Sequence, residues 1–178
     1  MEKVKLMDCT LGSGGELIEG AFGEDVLYQI RPLLQKSGID IIEVGVLCSH
    51  TKGPHCAIYT TTELPPVMKR LQGQSYAVLL DEDRPDLPTL PDWSEHTVDI
   101  VRVPLTMERL VEDIKYCIGL REKGYQVAAL IAETARYGKK ELENLLQQVG
   151  RTKIWACYIY DSSGLMDCEE LERTFGYC

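Results

Sequence analysis

Asp8, Thr10, Glu43, Asp81, Arg102, Glu133, Asp161 and Ser162 are spread along the 178-residue chain, yet they occupy one kind of place. Each stands where a run of apolar, strand-forming residues gives way to a loop. Carboxylates, hydroxyls and a guanidinium gathered at one mouth could orient a small acid or shuttle protons in general acid–base steps. Any one of them could equally cap a helix or pair on the surface. Their recurrence at corresponding positions favours a shared pocket. Such a pocket leans negative, with Arg102 and Arg136 offsetting part of the charge. The loop GSGGE (12–16) could add backbone N–H groups as an anion nest, although a tight turn needs glycine in any case.

The elements that must position these residues alternate along the chain. VKLMDCTL (4–11) reads as a strand ending in a Gly-rich turn. A helical pattern follows over 25–38, with Val26, Leu27, Ile30, Leu33 and Leu34 on one face and Gly38 as its stop. DIIEVGVL (40–47) is a continuous β-branched run of the kind found in strands buried on both faces. It leads to a helix near Glu63–Leu71. YAVLLDED (76–83) is the third strand, and the prolines of RPDLPTLPDWSEH (84–96) predict an irregular crossover. The second half repeats the rhythm. Strand 97–105 is followed by a helix over 107–124 stopped by Gly124, and strand 125–133 by a helix over 139–150 stopped by Gly150. Strand 152–164 precedes the final helix, 167–178. Six strand–helix units predict an α/β fold, a partial (β/α) barrel with parallel strands and right-handed crossovers, as one domain over 1–178. Ligands of such folds gather at the carboxyl ends of the strands.

A net charge of −9 argues against nucleic-acid binding, which needs clustered Lys and Arg. No apolar run approaches the roughly 18 residues of a membrane span, and the N-terminus lacks a signal-peptide pattern. The expected location is cytoplasmic. The seven cysteines (Cys9, Cys48, Cys56, Cys117, Cys157, Cys168 and Cys178) are odd in number and irregularly spaced, so they read as free thiols. In CSHTKGPHC, Cys48, His50, His55 and Cys56 supply enough donors for zinc. Their spacing fits no common zinc module, and the stretch is read as a loop.

Several of these segments together resemble the TIM-barrel metal-dependent lyases, the superfamily of 4-hydroxy-2-oxovalerate aldolase, hydroxymethylglutaryl-CoA lyase and isopropylmalate synthase. DCTLGSGG is similar to the family's D-x-T-L-R-D-G, and DIIEVG to its second-strand motif. DIVRVPL, REKGYQV and YIYDSSGLMDCEELERTF resemble the signatures of the fourth, fifth and sixth strands, in order. The resemblance covers nearly the whole chain and is strongest to the aldolase-like branch. It implies carbon–carbon cleavage or condensation on 2-keto acids, assisted by Mg or Mn. It also places Glu43, Asp161 and Ser162 among residues that hydrogen-bond the keto acid or its metal-bound water.

The departures bear on activity. Where the family has an Arg that stabilises an enolate-like intermediate and an Asp that ligates the metal, this chain has Gly12 and Ser13. Glycine offers no charge to an oxyanion, and a neutral hydroxyl is a poor ligand for a hard cation. The family's H-x-H metal pair is also missing, since the three histidines are His50, His55 and His96. The expectation is therefore a lyase-like protein without the usual metal-dependent activity and without its cofactor. The alternative is a non-catalytic relative that binds a keto-acid-like metabolite or a protein. A full barrel takes about 250 residues. With six strand units, open sheet edges call for cover, which predicts a homo-oligomer or a partner chain, with Trp155, Tyr158 and Tyr160 suited to the contact.

Overall fold

The structure, a computed structural model, describes residues 4–14, 21–50, 57–65, 68, 70–161 and 164–176. The apolar runs form strands β1 (Met7–Asp8), β2 (Ile41–Leu47), β3 (Ile58–Tyr59), β4 (Ser75–Leu80), β5 (Ile100–Leu105), β6 (Gln126–Ile131) and β7 (Ala156–Ile159). Helices α1 (Glu24–Lys36), α2 (Leu110–Glu122), α3 (Lys139–Arg151) and α4 (Cys168–Phe175) lie between and after them. All strand pairs are parallel, in the order β1-β2-β4-β5-β6-β7, with β3 pairing β2 off this path. Sequential order with parallel pairing is the signature of a (β/α) half-barrel.

Two short strands share one edge of β2. Strand β1 pairs with Ile41 and Ile42, and β3 pairs with Val46 and Leu47. Gly45 makes this possible: it stands at φ 150° beside a register shift in β2, and a Cβ there would overlap the Ala57 carbonyl oxygen. The strand expected over 4–11 is correspondingly reduced to Met7–Asp8.

Side chains alternate across the sheet. One face sends Ile42, Val44, Tyr76, Val78, Val101, Val103 and Val127 into the main core, where Leu27, Leu34, Leu110, Leu120, Leu142 and Leu145 meet them from the helices. The other face carries a smaller cluster, Ile41, Ala77, Ile100 and Ala128, flanked by Met7, Ala156 and Tyr158. The sheet curls toward this second face far enough that Lys5 Nζ lies 5.6 Å from the centre of the Trp155 ring.

The second crossover departs from expectation. Its described residues (60–65, 68 and 70–74) contain no helix, and Glu63 instead forms an antiparallel bridge with Thr97. Adjacent prolines at 65 and 66 explain this, because each removes a donor and the second pushes its predecessor out of the helical region. The segment is pinned by Arg70, whose Nη1 donates to both Asp99 oxygens at 2.9 Å and whose Nη2 donates to the Thr97 carbonyl at 2.6 Å. Asp99 also accepts from the Tyr76 N–H at 2.8 Å. The third crossover is irregular, as its prolines imply, with only a 3-10 turn at Leu87–Thr89.

Gly124 ends its helix at φ 93°, but Gly150 does not. Helix α3 runs through it to Arg151, and Lys153 at φ 53° makes the turn that glycine was expected to make. Among the described residues, no helix is long and apolar enough to cross a membrane.

Candidate functional site

Glu43 and Arg102 lie inside their strands, not where the strands give way to loops. Strand β2 continues through Val44–Leu47 and β5 through Val103–Leu105. Two-residue alternation puts Glu43 on the face of Ile41, and Arg102 on the face of Ile100. Both side chains therefore enter the concave interior of the half-barrel, where Arg102 Nη1 forms an ion pair with Glu43 Oε2. Glu43 is completely buried, and the Arg102 side chain is 8% exposed. The same Nη1 approaches Cys9 Sγ at 3.2 Å, and the guanidinium carbon lies 5.4 Å from the centre of the Tyr158 ring. Glu43 Oε1 and Arg102 Nε have no hydrogen-bond partner among the described residues.

The electrostatics follow from burial. Desolvation pushes the Glu43 carboxyl above its ordinary range. Arg102 and the nearby backbone N–H of Ser13 pull it back without cancelling the shift, and Asp8 adds to it. Burial opposes the Arg102 charge, but Glu43 outweighs this and holds the guanidinium firmly protonated. The Cys9 thiol is pushed up by burial and by Glu43, which Arg102 only partly offsets. It therefore stays a thiol at neutral pH and is a weak nucleophile.

Gly12 closes this site. It is buried within the turn that follows β1, and a Cβ placed on it would overlap Glu43 Oε1 and lie 2.5 Å from the carboxyl carbon. Glu43 thus occupies the space into which a side chain at position 12 would project. Ser13, beside it, is half-buried.

The other expected site residues have local partners. Asp8 accepts from the Thr10 N–H and hydroxyl, both at 3.1 Å. Asp81, beyond β4, accepts from the Asp83 N–H at 2.9 Å. Glu133, in the left-handed region at φ 52°, pairs with Arg136 at 2.9 Å. Asp161 accepts from the N–H groups of Leu165 and Met166 at 3.2 and 2.8 Å, closing the loop before α4. Ser162, His55 and Cys56 lie outside the described residues, as do positions 15 and 16 of the GSGGE loop. The structure thus gathers Asp8, Glu43 and Arg102 and gives Asp81, Glu133 and Asp161 short-range roles.

Two clefts of about 290 and 300 Å3 open elsewhere, one against Tyr137, Lys139, Met166 and Arg173, the other against Asp81, Arg84, Pro104 and Asp113. Sequence reasoning missed Cys9 and Tyr158 as companions of Arg102. For Tyr158 the signal was available, since it falls on the same alternating face of β7 as Ala156.

The sequence matches no protein-family model and no curated protein. Its fold is similar to a crystal structure described as "the N-terminal domain of a putative aldolase from Bacteroides vulgatus", with a TM-score of 0.57 and 17% identity. The scaffold is aldolase-like. The match covers 88% of this chain and 62% of that one, so the chain spans less than two thirds of the structure it resembles. At this identity the likeness is one of fold.

The Mg or Mn centre that the family resemblance implies does not fit the residues present. Ser13 offers a neutral hydroxyl in place of a carboxylate, and Glu43 is already engaged by Arg102. Among the described residues, the donors close enough together to hold a metal ion are Cys48, His50 and Asp83, beyond the carboxyl ends of β2 and β4.

Proposed function

We propose that this protein is a relative of the metal-dependent 2-keto-acid lyases that does not perform their metal-assisted carbon–carbon chemistry, and that its half-barrel serves to bind a keto-acid-like metabolite or a protein partner. The contact between Gly12 and Glu43 carries the reading. Glycine at position 12 offers no charge to an enolate, and a side chain there would have to push the Glu43 carboxylate out of its pair with Arg102. The remaining buried cation, Arg102, is neutralised by Glu43 and is not offered to a substrate.

The second reading is a lyase with altered chemistry. A buried carboxyl with a raised pKa, next to a thiol and an arginine, is the kind of group that moves protons in active sites. Pyruvate release from 4-hydroxy-2-oxo acids, followed in the presence of Mg or Mn, separates the two. The expected outcome is no turnover above the enzyme-free rate, and none after Gly12→Arg with Ser13→Asp. Turnover above the enzyme-free rate would establish the second reading instead.

We also propose self-association. The outer edges of β1 and β7 are unpaired with each other among the described residues, and open parallel edges are commonly covered by a second copy. Light scattering at micromolar concentration should give the mass of at least two chains. A monomer would mean that the curl of the sheet shields its own edges.

A further inference from the structure

We infer that Cys48, His50 and Asp83 form a zinc-class metal site on the carboxyl rim of the half-barrel, separate from the buried Glu43–Arg102 pair and built from residues other than those to which the family resemblance assigns a metal. The three donors come from two loops that the fold brings together. Cys48 and His50 follow β2, and Asp83 follows β4. The thiol, imidazole and carboxylate atoms all lie within 4.8 Å of one another.

The spacing suits a tetrahedral ion. Bond lengths of about 2.3 Å to sulfur and about 2.0 Å to nitrogen put those two atoms about 3.6 Å apart around zinc. Here Cys48 Sγ and His50 Nδ1 are 3.7 Å apart. His50 Nδ1 and Asp83 Oδ2 are closer, at 2.9 Å, and must open by a few tenths of an ångström to about 3.3 Å. Both side chains are 60% exposed and have freedom to do so. Cys48 is buried and its backbone is fixed by a 2.8 Å hydrogen bond from its N–H to the Tyr59 carbonyl.

The surroundings hold the two loops in register. The Ser49 N–H donates to the Asp83 carbonyl at 2.6 Å, and the Ser49 hydroxyl donates to Asp83 Oδ2 at 2.7 Å. Asp81 secures the far side by accepting from the Asp83 N–H. Ser49 thus orients a ligand from outside the coordination shell, as partners of metal-binding carboxylates do. A thiolate and an imidazole select zinc or cobalt over magnesium or calcium. The three donors found among the described residues leave one tetrahedral position for a further ligand such as water, the arrangement of open zinc sites. Binding releases the Cys48 thiol proton to solvent, requires the neutral His50 tautomer with its proton on Nε2 so that Nδ1 can ligate, and replaces the His50–Asp83 contact with two metal bonds.

Cobalt and zinc titrations of the full chain, stripped with chelator, test this. One Co(II) per chain should bind with thiolate-to-cobalt charge-transfer absorption and the intense visible bands of four-coordination, and Zn(II) should displace it. His50→Ala and Asp83→Asn, at exposed positions that the fold tolerates, should each weaken binding at least about tenfold. Cys48→Ser should remove the charge-transfer band, and Ser49→Ala should weaken binding. Changing Cys157 and Cys168 to serine should leave uptake intact. Absence of uptake at excess metal would overturn the proposal. So would uptake indifferent to both His50→Ala and Asp83→Asn, which would place the metal on other thiols.

Discussion

Arg102→Met should destabilise the protein by about 3–5 kcal/mol at neutral pH, the usual cost of removing one partner of a buried ion pair. Methionine fills much of the volume, so the loss is chiefly electrostatic: it leaves the Glu43 carboxylate, completely buried, without its cation. The pH dependence gives the effect its signature. Glu43 already has a folded-state pKa above its ordinary 4.5, and removing Arg102 raises it further. A carboxyl with a raised folded pKa favours the folded state below the unfolded value and loses that contribution as pH rises through the folded value. The cost of Arg102→Met should therefore be small below pH 4.5 and grow above it. Urea unfolding at a series of pH values measures the trend, and a carbon-13 titration of the Glu43 carboxyl checks its origin. A cost that does not change with pH would show that Arg102 contributes packing alone. Changing the pair together, Arg102→Met with Glu43→Leu, should recover most of the loss, since apolar replacements of buried pairs are often neutral or better.

Gly12→Ala is the second large effect, expected at about 3 kcal/mol, the upper end of the range for overpacking a tight interior. The added methyl overlaps Glu43 Oε1. A carboxylate at the end of a flexible side chain would ordinarily swing aside at little cost. This one is fully buried and held by Arg102, so it cannot move without breaking the pair. Shortening the neighbour tests the cause: Glu43→Asp, harmful by itself, should make Gly12→Ala less costly in the double variant than in the wild-type background. Thermal unfolding of the four proteins supplies the cycle. Strictly additive losses would mean that the added methyl is opposed by something other than the Glu43 carboxyl, since Gly12 does not sit in the left-handed region.

The order of the sheet was legible because each strand is a continuous apolar run between polar turns, from DIIEVGVL to YQVAALIAE. What the runs concealed was depth. Glu43 and Arg102 sit amid apolar neighbours on both sides, and only two-residue alternation shows that they point inward from mid-strand. The second crossover misled for a different reason. Its apolar spacing suits a helix, and the adjacent prolines 65 and 66 oppose one; the long-range grip of Arg70 on Asp99 supports the extended course. Gly150 looked like a helix stop, but nothing in the composition of α3 required the turn to come before Lys153. The partnerships of the site span distances that no local pattern encodes. Cys9 and Arg102 are 93 residues apart, and Ser49 and Asp83 are 34 apart.

In a closed barrel, curvature is imposed from outside, by the last strand hydrogen-bonding to the first. Among the described residues, β7 does not pair with β1. The ion pair supplies an internal substitute. Glu43 stands opposite Ala77 and Arg102 opposite Leu79, so the two charged residues belong to strands separated by β4. On a flat sheet their backbones would be about 9.6 Å apart across the strands, twice the strand spacing of about 4.8 Å, and offset by two residues, about 6.6 Å, along them. Two long side chains meeting over the small Ala77 act as a tie rod drawn across the inside of an arch. The two buried charges are spent on each other, linking β2 to β5 across β4 on the inner face of the sheet.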